Sequence, residues 1–294
     1  MLYLFDFPLI LDITPKPEKE KPVTYTSFTL KITGQIALIT LNNPEKANAL
    51  GEDFWGEFPQ MFEHINEDPD VRVVVIASSG KHFTSGIDLG YLQTAMPPDD
   101  VDPARAMDKL HRHVKYLQGA FEAIDKCRLP VLAAIQGGCF GAGVDLVSAC
   151  DIRYATADAF FIIQEINIGM VADLGTMQRM PRQIPDGLMR ELAYTGRKYL
   201  ADEACATGYV THVAEDHEAL LSHVMSVATR IAAQSPLAVT GSKEMLNHSR
   251  DHSVAAGLDY IAAWNAGMLS REDVVKGAMA ALTRGKAEFD DLLD

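Results

Sequence analysis

The stretch 131–145, VLAAIQGGCFGAGVD, limits the fold of this chain more than any other. Its first five residues form a short, unbroken apolar run, the pattern of a strand covered on both faces. They lead into four glycines within seven residues, Gly137, Gly138, Gly141 and Gly143, and then into a helix-forming run from Val144 to Cys150. The β-branched run 71–77 repeats the arrangement: a buried strand, then a Ser-Gly turn and the helix-forming DLGYL. A strand hidden on both faces needs other elements above and below it, so the chain is predicted to be α/β.

The flanking segments agree. Phe28, Leu30 and Ile32, then Ile36, Leu38 and Thr40, alternate about Thr33-Gly34 and predict a β-hairpin. Phe54, Phe58, Met61, Phe62 and Ile65 share one face of a helix starting near Gly51, and Leu110, Val114, Leu117, Phe121 and Ile124 stripe a longer one behind the polar gap MPPDDVDP. Beyond residue 200 the pattern becomes helical, at 220–233, 236–248, 254–266 and 271–282. We therefore divide the chain into an extension at 1–22 whose Pro/Lys/Glu-rich part is a solvated linker, a β–β–α or β–α core at 23–200, and a helical region at 201–294.

Charge and cysteine content narrow the partners. With 26 Lys+Arg against 40 Asp+Glu, the formal net charge of −14 disfavours nucleic acid or an anionic membrane surface. A phosphorylated small ligand stays compatible, because a helix start can hold a phosphate locally. Cys127, Cys139, Cys150 and Cys205 form no CxxC pair and read as free thiols. The apolar MLYLFDFPLIL at the N-terminus has no basic flank or cleavage site and reads as a tail or docking strand.

Three segments could carry chemistry. The first holds Ser85, Gly86, Ile87, Asp88 and Leu89, where a strand-to-helix turn exposes backbone N–H groups that could stabilise a developing oxyanion. Taken alone, such a turn is usually only a turn. The second, 137–145, offers a further set of N–H donors around Ala142, and fits neither a dinucleotide-binding nor a Walker spacing. Its Asp145 is either a helix-dipole partner or a site carboxylate. In the third, 164–173, Glu165 ends a strand and Asp173 opens a helix, so a surface charge and an N-cap are the plain alternatives. Three carboxylates at successive element ends beside two glycine-rich turns suit acid/base work on a carbon acid.

Together, FTSGIDL and GGCFGAGVDLVSACDIRYATADAFF resemble the signatures of the enoyl-CoA hydratase/isomerase (crotonase) superfamily over about residues 28–284. Within it, GIDL, GVDLVSACDIRY and EINIGMVADLGTMQR resemble the Δ3,5-Δ2,4-dienoyl-CoA isomerases. The resemblance implies a crotonase-like spiral of ββα units, a helical C-terminal trimerisation region, and homotrimers or homohexamers. It implies an acyl-CoA thioester substrate in fatty-acid β-oxidation, no separate cofactor and no metal. The oxyanion hole would be the N–H groups of Ile87 and Ala142, with Ser85, Gly86, Asp88 and Leu89 around the substrate. The catalytic carboxylates would be Glu165, Asp173 and Asp145, with Asp173 near C2 and Glu165 near C6. Lys286 would approach the CoA phosphates, although the Pro usual after it is missing, and Asn167 stands where close relatives carry an acid. A mitochondrial or peroxisomal location follows from the resemblance, with the cytoplasm as the alternative since no clear targeting signal is present.

Other readings stay in view. An enoyl-CoA hydratase would use carboxylates at 145 and 165 to hold one water, but Asp145 is a methylene short and Asp173 is superfluous. A Δ3,Δ2-enoyl-CoA isomerase needs only one base. An RNA-binding or scaffold member would want a basic helix longer than 109–115. The pairs His248/His252 and His111/His113 lack a third ligand or an HExxH frame and read as exposed helix histidines.

Overall fold

A computed structural model describes residues 25–95 and 101–293. The N-terminal extension and most of the gap MPPDDVDP lie outside the described residues. The strands are β1 (Phe28–Thr33), β2 (Ile36–Leu41), β3 (Val73–Ser78), β4 (Val131–Ile135), β5 (Gly138–Phe140), β6 (Ile152–Thr156), β7 (Phe160–Ile162), β8 (Tyr199–Leu200) and β9 (His212–Ala214). The helices are α1 (Glu52–Glu67), α2 (Leu89–Ala95), α3 (Pro103–Lys126), α4 (Ala142–Ala149), α5 (Thr176–Arg179), α6 (Asp186–Thr195), α7 (Ala201–Ala206), α8 (His217–Ala232), α9 (Pro236–Asp251), α10 (Val254–Met268) and α11 (Arg271–Thr283).

One sheet has the order β1-β2-β3-β4-β6-β9, antiparallel only at the β1–β2 hairpin. Every residue of β3 and β4 is buried, as their continuous apolar runs require. Alternation divides them between two layers. Val74, Ile76, Ala133 and Ile135 face the cluster of Phe54, Phe58 and Phe62 from α1 and Phe121 from α3. Val73, Val75, Leu132 and Ala134 face Leu220, Val224 and Ala228 of α8.

The strand-rich body therefore extends past residue 200: β9 completes the sheet and α8 covers its second face. Three residues of β9 are too few to show a period, so only its pairing with β6 identifies it.

A second sheet, β5-β7-β8, lies along the glycine-rich stretch. From sequence that stretch reads as a turn, because three residues between glycines have no detectable periodicity. Gly138 is required within it, since a Cβ there would fall on the Phe140 ring.

α9, α10 and α11 begin at Ser235, Ser253 and Ser270, whose hydroxyls each accept an N–H of the first turn. No residue of α10 or α11 is buried, and Leu246, Val254, Leu258, Leu269 and Leu282 stand exposed.

Candidate active site

The two glycine turns meet. Phe83 and Thr84 N–H donate to Gly138 O, and Phe140 N–H returns to Thr84 O. Leu50 N–H donates to Gly86 O at 2.8 Å and Asp88 N–H to Leu50 O at 3.0 Å, so the Ile87 N–H between them points away from that pairing. Ala142 is the first residue of α4, where an N–H has no intrahelical acceptor. Among the described residues neither N–H donates to a protein group. Gly86 makes the approach possible: it has φ +85°, and a Cβ there would lie 2.6 Å from Phe140 O and 3.4 Å from Ala142 N.

These groups border a cavity of about 500 Å³, lined by Ser85, Gly86, Ile87, Asp88, Leu89, Ala142 and Glu165 among others. Asp88 also caps α2, its Oδ1 accepting N–H bonds from Gly90 at 2.8 Å and Tyr91 at 3.1 Å. A larger apolar cleft between α9, α10 and α11 contains none of the three candidate carboxylates. Chemistry, not size, distinguishes the smaller cavity.

Asp145 is fully buried on α4 and does not line the cavity. Its Oδ1 accepts the Thr176 N–H at 2.6 Å, capping α5 from another element, while Oδ2 has no protein partner. The plain alternative for Asp173, an N-cap, does not apply, since Gly175 holds that position and α5 starts only at Thr176; Asp173 is half-buried and does not line the cavity. Glu165 lies in a short 3-10 turn after β7, half-buried, with Oε2 unpartnered. Gly141, at φ +49°, leaves room for it, since a Cβ would lie 3.1 Å from Oε1.

The three carboxyl groups influence one another. Burial pushes Glu165 up to about 8, and the charges of Asp145 and Asp173 reinforce the shift. Burial likewise raises Asp145 to about 6; the bond from Thr176 opposes the rise, Asp173 adds to it and Arg179 counters it. Asp173 is raised as well, by burial. Burial and the neighbouring carboxylates thus bias Glu165 toward its protonated form.

Lys286 is exposed on the tail after α11 and does not line the cavity of its own chain. Lys46 does, from the turn after β2, and is the one cation among the described lining residues. Its signal, a lone Lys in NPEKANAL, is indistinguishable from an ordinary surface charge. Asn48 was equally silent: at φ +54° it donates through Nδ2 to Ser79 O and His82 O, bracing the first glycine turn. Cys139 and Cys150 are buried, and burial pushes both thiols up, so they fill space beneath the site. Among the described residues no three His, Cys, Asp or Glu side chains gather as metal ligands. His248 and His252 stack on each other 3.9 Å apart.

The sequence model described as Enoyl-CoA hydratase/isomerase matches residues 31–292. The chain belongs to the enoyl-CoA hydratase/isomerase family. Its relatives include the mitochondrial Delta(3,5)-Delta(2,4)-dienoyl-CoA isomerase of Mus musculus, 45% identical over 91% of this chain and 83% of that one. The peroxisomal Delta(3,5)-Delta(2,4)-dienoyl-CoA isomerase of Arabidopsis thaliana is 43% identical over 86% of this chain and 92% of its own. The crotonyl-CoA hydratase of Syntrophomonas wolfei is further away, 30% identical over 91% and 99%. Among solved structures, an enoyl-CoA hydratase from Polaromonas sp. JS666 superposes with a TM-score of 0.81 at 26% identity, covering 90% of this chain and 99% of that one. The crotonase-like fold expected from the signatures is the fold found. No helix among the described residues is long and apolar enough to cross a membrane.

Proposed function

We propose that this chain isomerises 3,5-dienoyl-CoA to 2,4-dienoyl-CoA. The observation that carries the reading is Glu165 lining one cavity with two unengaged N–H donors, those of Ile87 and Ala142, while Asp173, outside that lining, is near enough for its charge to add to the rise of the Glu165 carboxyl. The Mus musculus and Arabidopsis thaliana relatives, named as isomerases of this kind, support it.

The thioester oxygen sits between the Ile87 and Ala142 N–H groups, which stabilise the negative charge that develops as the C2 proton leaves; one such donor is worth about 10²–10³ in rate. Asp173 takes the C2 proton. Glu165, whose carboxyl is raised chiefly by burial, delivers a proton to C6, and both double bonds move one position. One proton leaves and one returns, so the conversion needs no cofactor. Lys46 supplies a cation at the cavity edge for the CoA phosphates, and Lys286, which does not line the cavity of its own chain, would reach them from a neighbouring copy. The uncovered apolar residues of α9, α10 and α11 support a homotrimer or homohexamer. The relatives' names support a mitochondrial or peroxisomal setting.

Hydration is disfavoured by Asp145, which is a methylene shorter than glutamate, gives its Oδ1 to the Thr176 N–H and does not line the cavity beside Glu165. Purified protein given 3,5-dienoyl-CoA should generate the longer-wavelength absorbance of the conjugated 2,4-diene, and given 2-enoyl-CoA should leave the enoyl-thioester absorbance nearly unchanged. Normal dienoyl turnover by both Glu165→Gln and Asp173→Asn would sink the assignment of roles.

A further inference from the structure

Gln118, Glu122 and Asp125 stand at steps of four and three on one face of α3. Two of them grip the segment that carries Asp173, one at each end. Gln118 Nε2 donates to Asp173 O at 2.7 Å. Six residues on, Arg179 is bound by Asp125 through two nitrogens, Nε at 2.7 Å and Nη2 at 2.5 Å, both side chains largely buried. Arg179 Nη1 turns back toward Leu174 O, at 3.4 Å. Gly175 between them has φ +132°, and the guanidinium occupies the place any Cβ there would take. The turn and the arginine are therefore built around each other.

That turn decides two features of the site. It aims the Thr176 N–H at Asp145 Oδ1, and it sets where the chain leaves Asp173. Asp125 is itself fixed from behind: its Oδ1 accepts Arg250 Nη1 at 3.0 Å, and Arg250 and Arg182 share Asp251. The brace thus runs from α9 through α3 to the turn behind Asp173.

We propose that Arg179, locked by Asp125, is a positioning residue for the isomerisation: it holds the 173–176 turn so that the Asp173 carboxylate meets the C2 proton. The inference rests on the proposed role of Asp173. Arg179 does not line the cavity that holds Glu165. Losing it should leave binding nearly intact and slow the chemistry, because a base displaced by about 1 Å can lose about 10²-fold in rate.

The test is steady-state kinetics on full-length Arg179→Met, Arg179→Lys, Asp125→Asn and the Arg179→Met/Asp125→Asn double variant, with ordinary and C2-deuterated 3,5-dienoyl-CoA, well below each melting temperature. Arg179→Met should lose roughly 10- to 100-fold in kcat with KM within about twofold, and its primary isotope effect on kcat should rise as proton removal becomes limiting. Asp125→Asn should behave alike, the double variant should be no worse than the worse single, and Arg179→Lys should recover part of the loss. A wild-type kcat and isotope effect in Arg179→Met would overturn the proposal, as would a kcat loss that tracks folded fraction with an unchanged isotope effect. Should Arg179→Met fail to fold, Arg179→Lys and Asp125→Asn decide by the same two readouts. Asp173→Asn, measured in parallel, separates the failures: if it turns over normally the site reading falls, and if it is inactive while the Arg179 and Asp125 variants match wild type only the positioning role falls.

Discussion

Replacing Glu165 by Gln removes an ionisable group from surroundings that oppose its charge. Its carboxyl is raised from 4.5 to about 8, chiefly by burial and then by Asp145. Between those two values the folded chain binds more protons than the unfolded one, so the ionised carboxyl makes stability fall as pH climbs through 4.5 and level off above 8. At about 1.36 kcal/mol per pKa unit the full displacement bounds the effect at roughly 5 kcal/mol. Water reaching the carboxyl from the cavity, and relief of Asp145 when Glu165 is protonated, should leave about 1–3 kcal/mol. Glu165→Gln escapes this penalty. Relative to wild type it should melt about as it does at pH 5, but several degrees higher at pH 9, since 1 kcal/mol corresponds to about 2–4 °C for a chain of this size. The same variant should lose about 10²–10⁴-fold in dienoyl-CoA turnover, the usual contribution of a positioned acid or base. Thermal melts at the two pH values, at one fixed protein concentration, together with the diene absorbance assay, read both effects. An identical Tm difference at pH 5 and pH 9 would refute the reasoning, because any packing change made by the amide is present at both.

Asp145→Asn keeps an acceptor for the Thr176 N–H but removes the charge that raises Glu165; the alkaline limb of the kcat profile should therefore move to lower pH, as a pH-rate series will show. Gly86→Ala puts a Cβ 2.6 Å from Phe140 O at φ +85°, so turnover should drop at least about 10²-fold while circular dichroism stays native. Lys46→Met should raise KM for the CoA thioester several-fold, change kcat little, and flatten the salt dependence of kcat/KM. Phe58→Ala, at a fully buried site among aromatic rings, should destabilise by about 3–5 kcal/mol in chemical denaturation without a specific kinetic defect.

Where burial is periodic, local sequence was sufficient. The hairpin and the α1 and α3 stripes were legible from periods of two and 3.6, the two buried strands from unbroken apolar runs, and the four last helices from long helix-forming stretches. β5 and β9, three residues each, were not, since their identity lies in a partner strand distant in sequence. The site divides along the same line. Residues announced by glycine turns or by matching signatures, Gly86, Ile87, Ala142, Asp145, Glu165 and Asp173, could be named from the chain. Lys46, Asn48, Gln118, Asp125 and Arg179 could not, because an isolated Lys, Asn, Gln, Asp or Arg looks the same on a surface as in a brace.

By itself, the sequence determined an α/β chain with strands hidden on both faces, two glycine turns able to present N–H groups, and three acids close behind them. Only the tertiary structure decided what surrounds each acid. Asp145 caps α5 from inside, Glu165 lines the cavity with its carboxyl raised by burial, and Asp173 ends a braced turn. The physical reason is that a carboxyl group's role depends on how deeply water is excluded, which N–H it meets and which charges stand nearby. Most of these influences come from residues tens of positions away, such as Thr176 on Asp145 and Gln118 on the Asp173 segment, outside the residue's own neighbourhood.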